Sequence, residues 1–216
     1  QKYLKVIRRK KKLSKEYILQ NFGSLIGDRS LFKFLVCFEL LKKTKKIKGD
    51  IVEFGVWNGN NLLSLKKIHD YLNLNKKIIG YDHFKGMPKD SRDFFRNSFH
   101  GDIRFLKKLI KFFGFENIRL INDDILNLKN NLNVFKKLSF IYIDCDLYLT
   151  TKKILELLSR KLSKGGVIVF DEGNQNIKKS GETRALKEFL KKNKKNFLKK
   201  YLRKGYQPDV YLEKIN

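Results

Sequence analysis

A group of acidic residues stands at the ends of short apolar runs in a sequence that is otherwise strongly basic. The 216 residues include 49 Lys and Arg but only 22 Asp and Glu. Parallel strands bring their carboxyl ends to one edge of a sheet, which is where ligands bind in α/β proteins. If the apolar runs are such strands, these acids form one polar site. They are Glu53, Asp82, Asp123, Asp124, Asp144, Asp146, Asp171 and Glu172.

The acids of this group that are expected to lie nearest one another predict a cation site. Asp144 and Asp146 are two residues apart, so they share one side of a strand end, and Asp171-Glu172 follows the next apolar run. Carboxylates this close repel one another unless protons or a cation neutralise them. A site built only of oxygen ligands favours Mg²⁺ or a similar ion. The alternative is that Asp146 and Asp171 cap the helices that follow them, which would explain single residues but not the cluster.

A second pattern predicts a nucleoside site. Gly55 and Gly59 lie between an apolar run and a helical pattern, as in a nucleotide-binding turn, but the three-glycine dinucleotide fingerprint is missing. Asp82 ends the next run, where an acid can accept hydrogen bonds from the two ribose hydroxyls. No basic phosphate pocket adjoins the turn. The pattern therefore favours an adenosine ligand without a pyrophosphate.

The elements that position these residues alternate between strands and helices after Gly49. Such alternation predicts one doubly wound α/β domain, with a mostly parallel sheet of seven strands and helices on both faces. Residues 1–45 are interpreted as a basic arm and helices that precede it, including a helix that starts near Ser30. Gly165-Gly166 is expected to end the helix before the fifth strand. The predicted strands are 51–55, 77–82, 118–121, 138–144, 167–171, 198–203 and 209–213.

Composition excludes several classes of protein. A hydrophobic content of 42% argues against a disordered chain, and the densest apolar stretch, residues 31–41, is interrupted by Lys33 and Glu39, so no membrane span is expected. The formal charge of +27 comes mainly from lysines spread along the whole chain. This distribution is typical of compositional drift and not of a specific nucleic-acid interface, which usually clusters arginines. Two isolated cysteines, Cys37 and Cys145, favour a reducing, cytoplasmic setting.

Five segments occur in order between about residues 45 and 192. They read VEFGVWNG (52–59), YDHFKGMP (81–88), IDCDLY (143–148), GVIVFDE (166–172) and GETRALKEFL (181–190). Together they resemble the macrocin O-methyltransferase family, the sugar O-methyltransferases of the TylF, MycF and NovP type. The resemblance implies a Rossmann-like methyltransferase fold over residues 46–216. It also implies transfer of a methyl group from S-adenosylmethionine to a sugar hydroxyl with the help of Mg²⁺.

The same resemblance assigns roles to individual residues. Asp146 is expected to be the general base. Asn58 stands where the family commonly has Arg, and Glu172 where it commonly has Asp, which keeps the charge but lengthens the side chain. The resemblance implies that Glu53 and Gly55 line the methionine end of the cofactor and that Gly59 belongs to the same glycine turn. It places Asp82 at the ribose and Asp124 at the adenine. The metal ligands that it implies are Asp144, Asp171 and Glu172.

The expected partner is a nucleotide-linked sugar, or a glycoside or polysaccharide precursor, and the expected assembly is a homo-oligomer. One other enzyme reading stays open, a methyltransferase acting on a phenol of the catechol type. A non-enzymatic cofactor fold that serves only as a scaffold stays open as well. A basic nucleic-acid-binding protein is the alternative from a different class. The charge favours it, and the acidic sheet edge argues against it.

Overall fold

A single sheet positions the acids. The computed structural model describes residues 14–87, 97–174 and 181–216. The strands are β1 (Asp50–Phe54), β2 (Ile78–Asp82), β3 (Ile118–Asn122), β4 (Leu138–Ile143), β5 (Leu162–Phe170), β6 (Phe197–Tyr201) and β7 (Val210–Lys214). They pair in the order β3-β2-β1-β4-β5-β7-β6. The strands β1 to β5 run parallel, and β7 lies antiparallel between β5 and β6.

Helices cover both faces of this sheet. They are α1 (Lys15–Gln20), α2 (Phe22–Leu25), α3 (Asp28–Lys43), α4 (Asn60–Tyr71), α5 (Ile103–Phe112), a 3₁₀ helix (Ile125–Val134), α6 (Tyr148–Leu158) and α7 (Gly181–Asn193). Neighbouring residues of β1 point to opposite faces: Ile51 belongs to the core under α3, α4 and α5, and Val52 to the core under α6 and α7. Burial on both faces explains why the strands are almost wholly apolar. The predicted doubly wound fold is confirmed.

Two local predictions were wrong, and one element was not predicted. Gly165-Gly166 does not end a helix but lies inside β5, where the pairing with β4 shifts register between Leu138 and Phe140. Gly165 has φ of +78°, and a Cβ there would meet the Ile47 side chain at 2.9 Å, so the bulge favours glycine. Helix α3 starts at Asp28, and its N-cap is Gly27 instead of Ser30. The 3₁₀ helix after β3 was not predicted, although Ile125, Leu128 and Leu132 recur there at helical spacing.

The last helix before β1 is part of the packed core. Helix α3 buries Val36, Cys37, Leu40 and Leu41 against the sheet. The predicted basic arm falls on residues 1–13, which lie outside the described residues. In the described ranges, we find no helix whose length and hydropathy would let it cross a membrane.

Candidate functional site

A cavity of about 430 Å³ opens beyond the carboxyl ends of β1, β2, β4 and β5. Its lining brings together nearly all the residues singled out in the sequence: Glu53, Gly55, Asp82, Asp124, Asp144, Asp146, Asp171 and Glu172. Gly59 is not among the lining residues. It stands at the N-cap of α4 with φ of +83°, where a Cβ would lie 2.3 Å from the Leu106 side chain. Gly59 therefore shapes the turn from behind the cavity wall.

The glycine turn after β1 is held by the acid at the end of β2. One carboxylate oxygen of Asp82 accepts the N–H groups of Val56 and Trp57, each at 2.8 Å, and the other accepts the N–H of Phe84 at 2.7 Å. Gly55 has φ of +85°, and a Cβ there would lie 1.8 Å from the carbonyl oxygen of Asp144. A carboxylate offers about four acceptor positions, so about one remains on Asp82 for a ligand.

Glu53 presents an unpaired oxygen at this turn. Its side chain is 1% exposed, and Oε1 accepts a hydrogen bond from Asn61 at 3.0 Å. Oε2 is buried without a hydrogen-bond partner among the described residues. Burial raises the pKa of Glu53 to about 8, although the Asn61 hydrogen bond opposes the shift. A buried oxygen that lacks a donor is a fitting partner for a cationic amine.

Asp124 borders the cavity at the end of β3. Its side chain accepts the N–H of Leu126 at 2.8 Å and so caps the 3₁₀ helix. Its neighbour Asp123 bonds instead to Asn127 and Asn131, away from the cavity lining. Of the two acids after β3, Asp124 is thus the one that lines the cavity.

Two of the predicted metal ligands share a lysine. Nζ of Lys33, on α3, lies 2.9 Å from Oδ2 of Asp144 and 2.9 Å from Oδ1 of Asp171. The Tyr142 hydroxyl also donates to Oδ1 of Asp171, at 2.7 Å. Burial lowers the pKa of Lys33, but the two carboxylates outweigh it and hold that pKa above its usual value. Burial and the nearby Asp171 raise the pKa of Asp144 to about 6, against the opposing effect of Lys33.

Lys33 was not recognised in the sequence as a functional residue. A signal was present, because Lys33 interrupts the buried stripe of α3 that continues through Cys37 and Leu40 at helical spacing. A lysine on the core-facing side of a helix requires an internal anion. The position of that anion could be found only from the three-dimensional packing.

Asp146 follows Asp144 in a strained conformation, with φ of +58°. Burial, then the charges of Asp144 and Glu172, raise its pKa to about 8. The N-cap of α6 is Leu147, without a side-chain hydrogen bond, and α7 begins at Gly181, far beyond Asp171. The capping alternative for the two acids is therefore wrong.

Glu182 ties the ends of β4 and β5 together. It is fully buried, and its carboxylate accepts the N–H groups of Cys145 at 2.9 Å, Asp146 at 3.2 Å and Glu172 at 3.0 Å. Burial raises its pKa well above the usual value. Gly181 makes the approach possible, since a Cβ there would lie 2.4 Å from the Asp146 carbonyl oxygen. Glu182 stands in the GETR segment, which the sequence analysis noted without giving it a role.

The acid cluster fits a hard cation in its chemistry, since its donors are carboxylate oxygens. In the described ranges, no set of three or more His, Cys, Asp or Glu is grouped closely enough to hold a metal ion. The space between Asp144 and Asp171 holds the Lys33 ammonium, and Oε1 of Glu172 accepts Gln207 Nε2 at 2.8 Å. The donors suit Mg²⁺ by their chemistry, but in this arrangement the Lys33 ammonium, and not a gathered set of acids, occupies the position between two of them.

Comparison with known proteins finds a curated methyltransferase as a relative. The chain is 26% identical over 163 residues to the 8-demethyl-8-(2,3-dimethoxy-alpha-L-rhamnosyl)-tetracenomycin-C 4'-O-methyltransferase of Streptomyces olivaceus. The match covers 69% of this chain and 62% of that enzyme, so the chain spans less than two thirds of its relative. The resemblance predicted from the five segments is thereby supported by an independent match.

Solved structures share the fold. The calicheamicin methyltransferase CalS11 superposes with a TM-score of 0.78 at 22% identity, over 98% of this chain and 90% of that one. The O-methyltransferase NovP superposes with a TM-score of 0.70 at 20% identity, over 89% and 82% of the two chains. A family model described as a methyltransferase domain matches residues 52–173, more than half of the chain. The chain belongs to this methyltransferase domain family.

Proposed function

We propose that this protein is an S-adenosylmethionine- and Mg²⁺-dependent O-methyltransferase that acts on a hydroxyl group of a sugar. The observation that carries the proposal is the cavity itself, whose wall combines the glycine turn and Asp82 with a buried acid cluster around Asp146. The first part suits an adenosine-linked donor and the second a hydroxyl acceptor. Membership of the methyltransferase domain family supports a methyl group as what passes between them.

The donor would lie along the ends of β1, β2 and β3. Glu53, with its unpaired Oε2, would accept a hydrogen bond from the methionine ammonium, and Gly55 lets the cofactor approach the backbone closely. The remaining acceptor position of Asp82 would bind a ribose hydroxyl. Asp124 would face the adenine, and Gly59 would set the turn.

The acceptor hydroxyl would lie against Asp146. The oxygen of the acceptor hydroxyl would attack the methyl carbon of S-adenosylmethionine as the bond between that carbon and sulfur breaks. S-adenosylhomocysteine would be released, and the hydroxyl proton would pass to the Asp146 carboxylate. Since burial raises the Asp146 pKa to about 8, this group is a stronger base than an exposed aspartate once it is ionised. Asp144, Asp171 and Glu172 would hold the divalent cation. When bound, that cation supplies a Lewis acid that lowers the pKa of the sugar hydroxyl.

The acceptor class follows from the relatives. The Streptomyces olivaceus enzyme is named for methylation of a rhamnosyl group, so we propose a nucleotide-linked sugar or a glycoside or polysaccharide precursor as substrate.

The two free thiols, Cys37 and Cys145, fit a reducing compartment, and we propose that the reaction takes place in the cytoplasm. A homo-oligomer is the proposed assembly.

The test is formation of S-adenosylhomocysteine by the purified chain with Mg²⁺. We expect turnover with at least one member of a panel of nucleotide sugars and none with catechol or RNA. Turnover with catechol alone would favour the phenol alternative, and tight, sequence-selective RNA binding at physiological salt would favour the nucleic-acid reading. Full turnover in excess EDTA would contradict the metal requirement.

A further inference from the structure

The lysine at the centre of the acid cluster has no place in the reaction described above. Lys33 extends from α3, and its side chain is 19% exposed. Its Nζ contacts both Asp144 and Asp171 at 2.9 Å and lies 5.2 Å from the centre of the Tyr142 ring. Within the described ranges, Lys33 is the only basic residue found in an ion pair with this acid cluster.

The acids need a positive charge in this position. Asp144 and Asp171 are both largely buried, with side chains 28% and 8% exposed. Asp146, Glu172 and Glu182 lie close by, and burial together with the neighbouring carboxylates raises the pKa of each, so further negative charge here is unfavourable. Removing charges from water is costly unless opposite charges compensate them. The Lys33 ammonium supplies that compensation from within the chain.

A divalent cation and the lysine cannot occupy the same position. Mg²⁺ binds carboxylate oxygens at about 2.0–2.1 Å. An ion held by Asp144 and Asp171 would therefore compete with Lys33 Nζ, which now contacts both carboxylates. Two positive charges in such proximity repel each other strongly, all the more in a partly buried site.

We propose that Lys33 is an internal competitor of the divalent cation: it neutralises Asp144 and Asp171 in the metal-free protein and must leave them when the cation binds. The inference rests on the proposed metal site. The lysine stem is flexible, and Lys33 borders the cavity, so its ammonium has space to move away from the acid pair. Lys33 thus sets how much cation the protein needs and selects against weakly bound ions.

The direct test is Mn²⁺ binding to the cofactor-free protein, measured by loss of the free Mn²⁺ signal in electron paramagnetic resonance. Lys33→Met removes the ammonium and keeps most of the stem. We expect it to bind one Mn²⁺ about 10- to 100-fold more tightly than the wild type, within the usual range of coupling between competing ligands. Lys42→Met is the matched control, since Lys42 is an exposed lysine of the same helix, and it should bind Mn²⁺ like the wild type.

A second measurement uses the unaltered chain, in case Lys33→Met does not fold. Mass spectrometry after brief treatment with an amine-acetylating reagent reports how accessible each lysine is. Mn²⁺ should increase the labelling of Lys33 several-fold and leave Lys42 unchanged.

Equal Mn²⁺ affinities of wild type and Lys33→Met, or Lys33 labelling that Mn²⁺ does not change, would overturn the inference. Absence of Mn²⁺ binding in every variant would overturn it too. None of these results touches methyl transfer, which is measured separately as S-adenosylhomocysteine formation. Failure of methyl transfer with a clear Mn²⁺ competition would, conversely, contradict the proposed function and leave the role of Lys33 intact.

Discussion

The two edges of the cavity are assembled in different ways. At the cofactor edge, beyond β1 and β2, Asp82 bonds to the N–H groups of Val56 and Trp57, which are 26 and 25 residues away in sequence. At the acid edge, beyond β4 and β5, Asp144 pairs with Lys33 across 111 residues, and Glu182 reaches Cys145 across 37. The cofactor edge is one β-α-β unit, whereas the acid edge is made by distant parts of the chain.

This difference indicates which edge should determine cofactor affinity and which should determine the turnover rate. Asp82 uses most of its acceptor positions to bind backbone N–H groups, so the cofactor edge is formed before the cofactor binds. Substitutions at this edge should therefore weaken cofactor binding. The acid edge contains several carboxyl groups with raised pKa values around one lysine, an arrangement typical of sites that move protons. Changes there should alter turnover more than cofactor affinity.

The largest effect is expected from Asp146→Asn. The substitution removes the proposed proton acceptor and keeps the shape of the side chain, so turnover should fall about 10²- to 10⁴-fold. Affinity for S-adenosylmethionine should stay within about twofold of the wild type, because the cofactor edge is untouched. Steady-state rates and calorimetric titration measure the two quantities.

Asp144→Asn is the control that separates base from metal ligand. It should also lower turnover, but added Mg²⁺ should restore part of the activity, whereas Asp146→Asn should not respond. Rescue of Asp146→Asn by Mg²⁺, with Asp144→Asn fully active, would reverse the two roles.

A smaller loss is expected from Glu182→Gln. A glutamine can accept at only one of the two positions that now bind the N–H groups of Asp146 and Glu172, so one strand end would lose its anchor. Loss of such a buried hydrogen bond should lower kcat about 10-fold. The effect should fall on kcat and spare the KM for S-adenosylmethionine. Equal losses in both would mean that Glu182 supports the whole fold and not the acid edge alone.

The smallest effect concerns Glu53 and pH. Its pKa is raised from 4.5 to about 8 on folding, so the folded state binds its proton more tightly than the unfolded chain. Its contribution to stability is therefore fully present below about pH 4.5 and is lost as pH rises through about 8. Glu53→Gln keeps a hydrogen-bond acceptor for Asn61 but cannot ionise. The free energy of unfolding should thus fall less steeply between these pH values in the variant, as urea titrations can measure, and parallel curves would exclude a buried, titrating Glu53.

The cofactor edge could be predicted from sequence because its signals are local. A strand, a glycine turn and an acid at the end of the next strand follow one another within residues 51–82. Backbone geometry restricts what such a segment can form, and Gly55 indeed lies where a Cβ would collide with Asp144. The alternation of strands and helices followed from the periodicity of the apolar residues.

The acid edge could be predicted only in part. The acids at the ends of β4 and β5 were visible as residue types, but the identity of their counter-charge was not. Lys33 is one of many lysines in a chain of formal charge +27, and although its place in the apolar stripe of α3 marks it as core-facing, the stripe does not show which anion it meets. Glu182 likewise acts through backbone N–H groups of other segments, a contact that leaves no spacing pattern in the sequence. Long-range packing decides both.

The most direct test of the account is calorimetric titration of S-adenosylmethionine into the wild type, Asp82→Ala and Asp146→Asn side by side. We predict saturable binding of one cofactor by the wild type and by Asp146→Asn. Asp82→Ala should bind about 1.5–3 kcal/mol more weakly, the range for lost hydrogen bonds to a charged acceptor. Circular dichroism would verify that Asp82→Ala is folded. Unchanged affinity in Asp82→Ala, or no binding by the wild type, would contradict the assignment of a cofactor edge and an acid edge to this cavity.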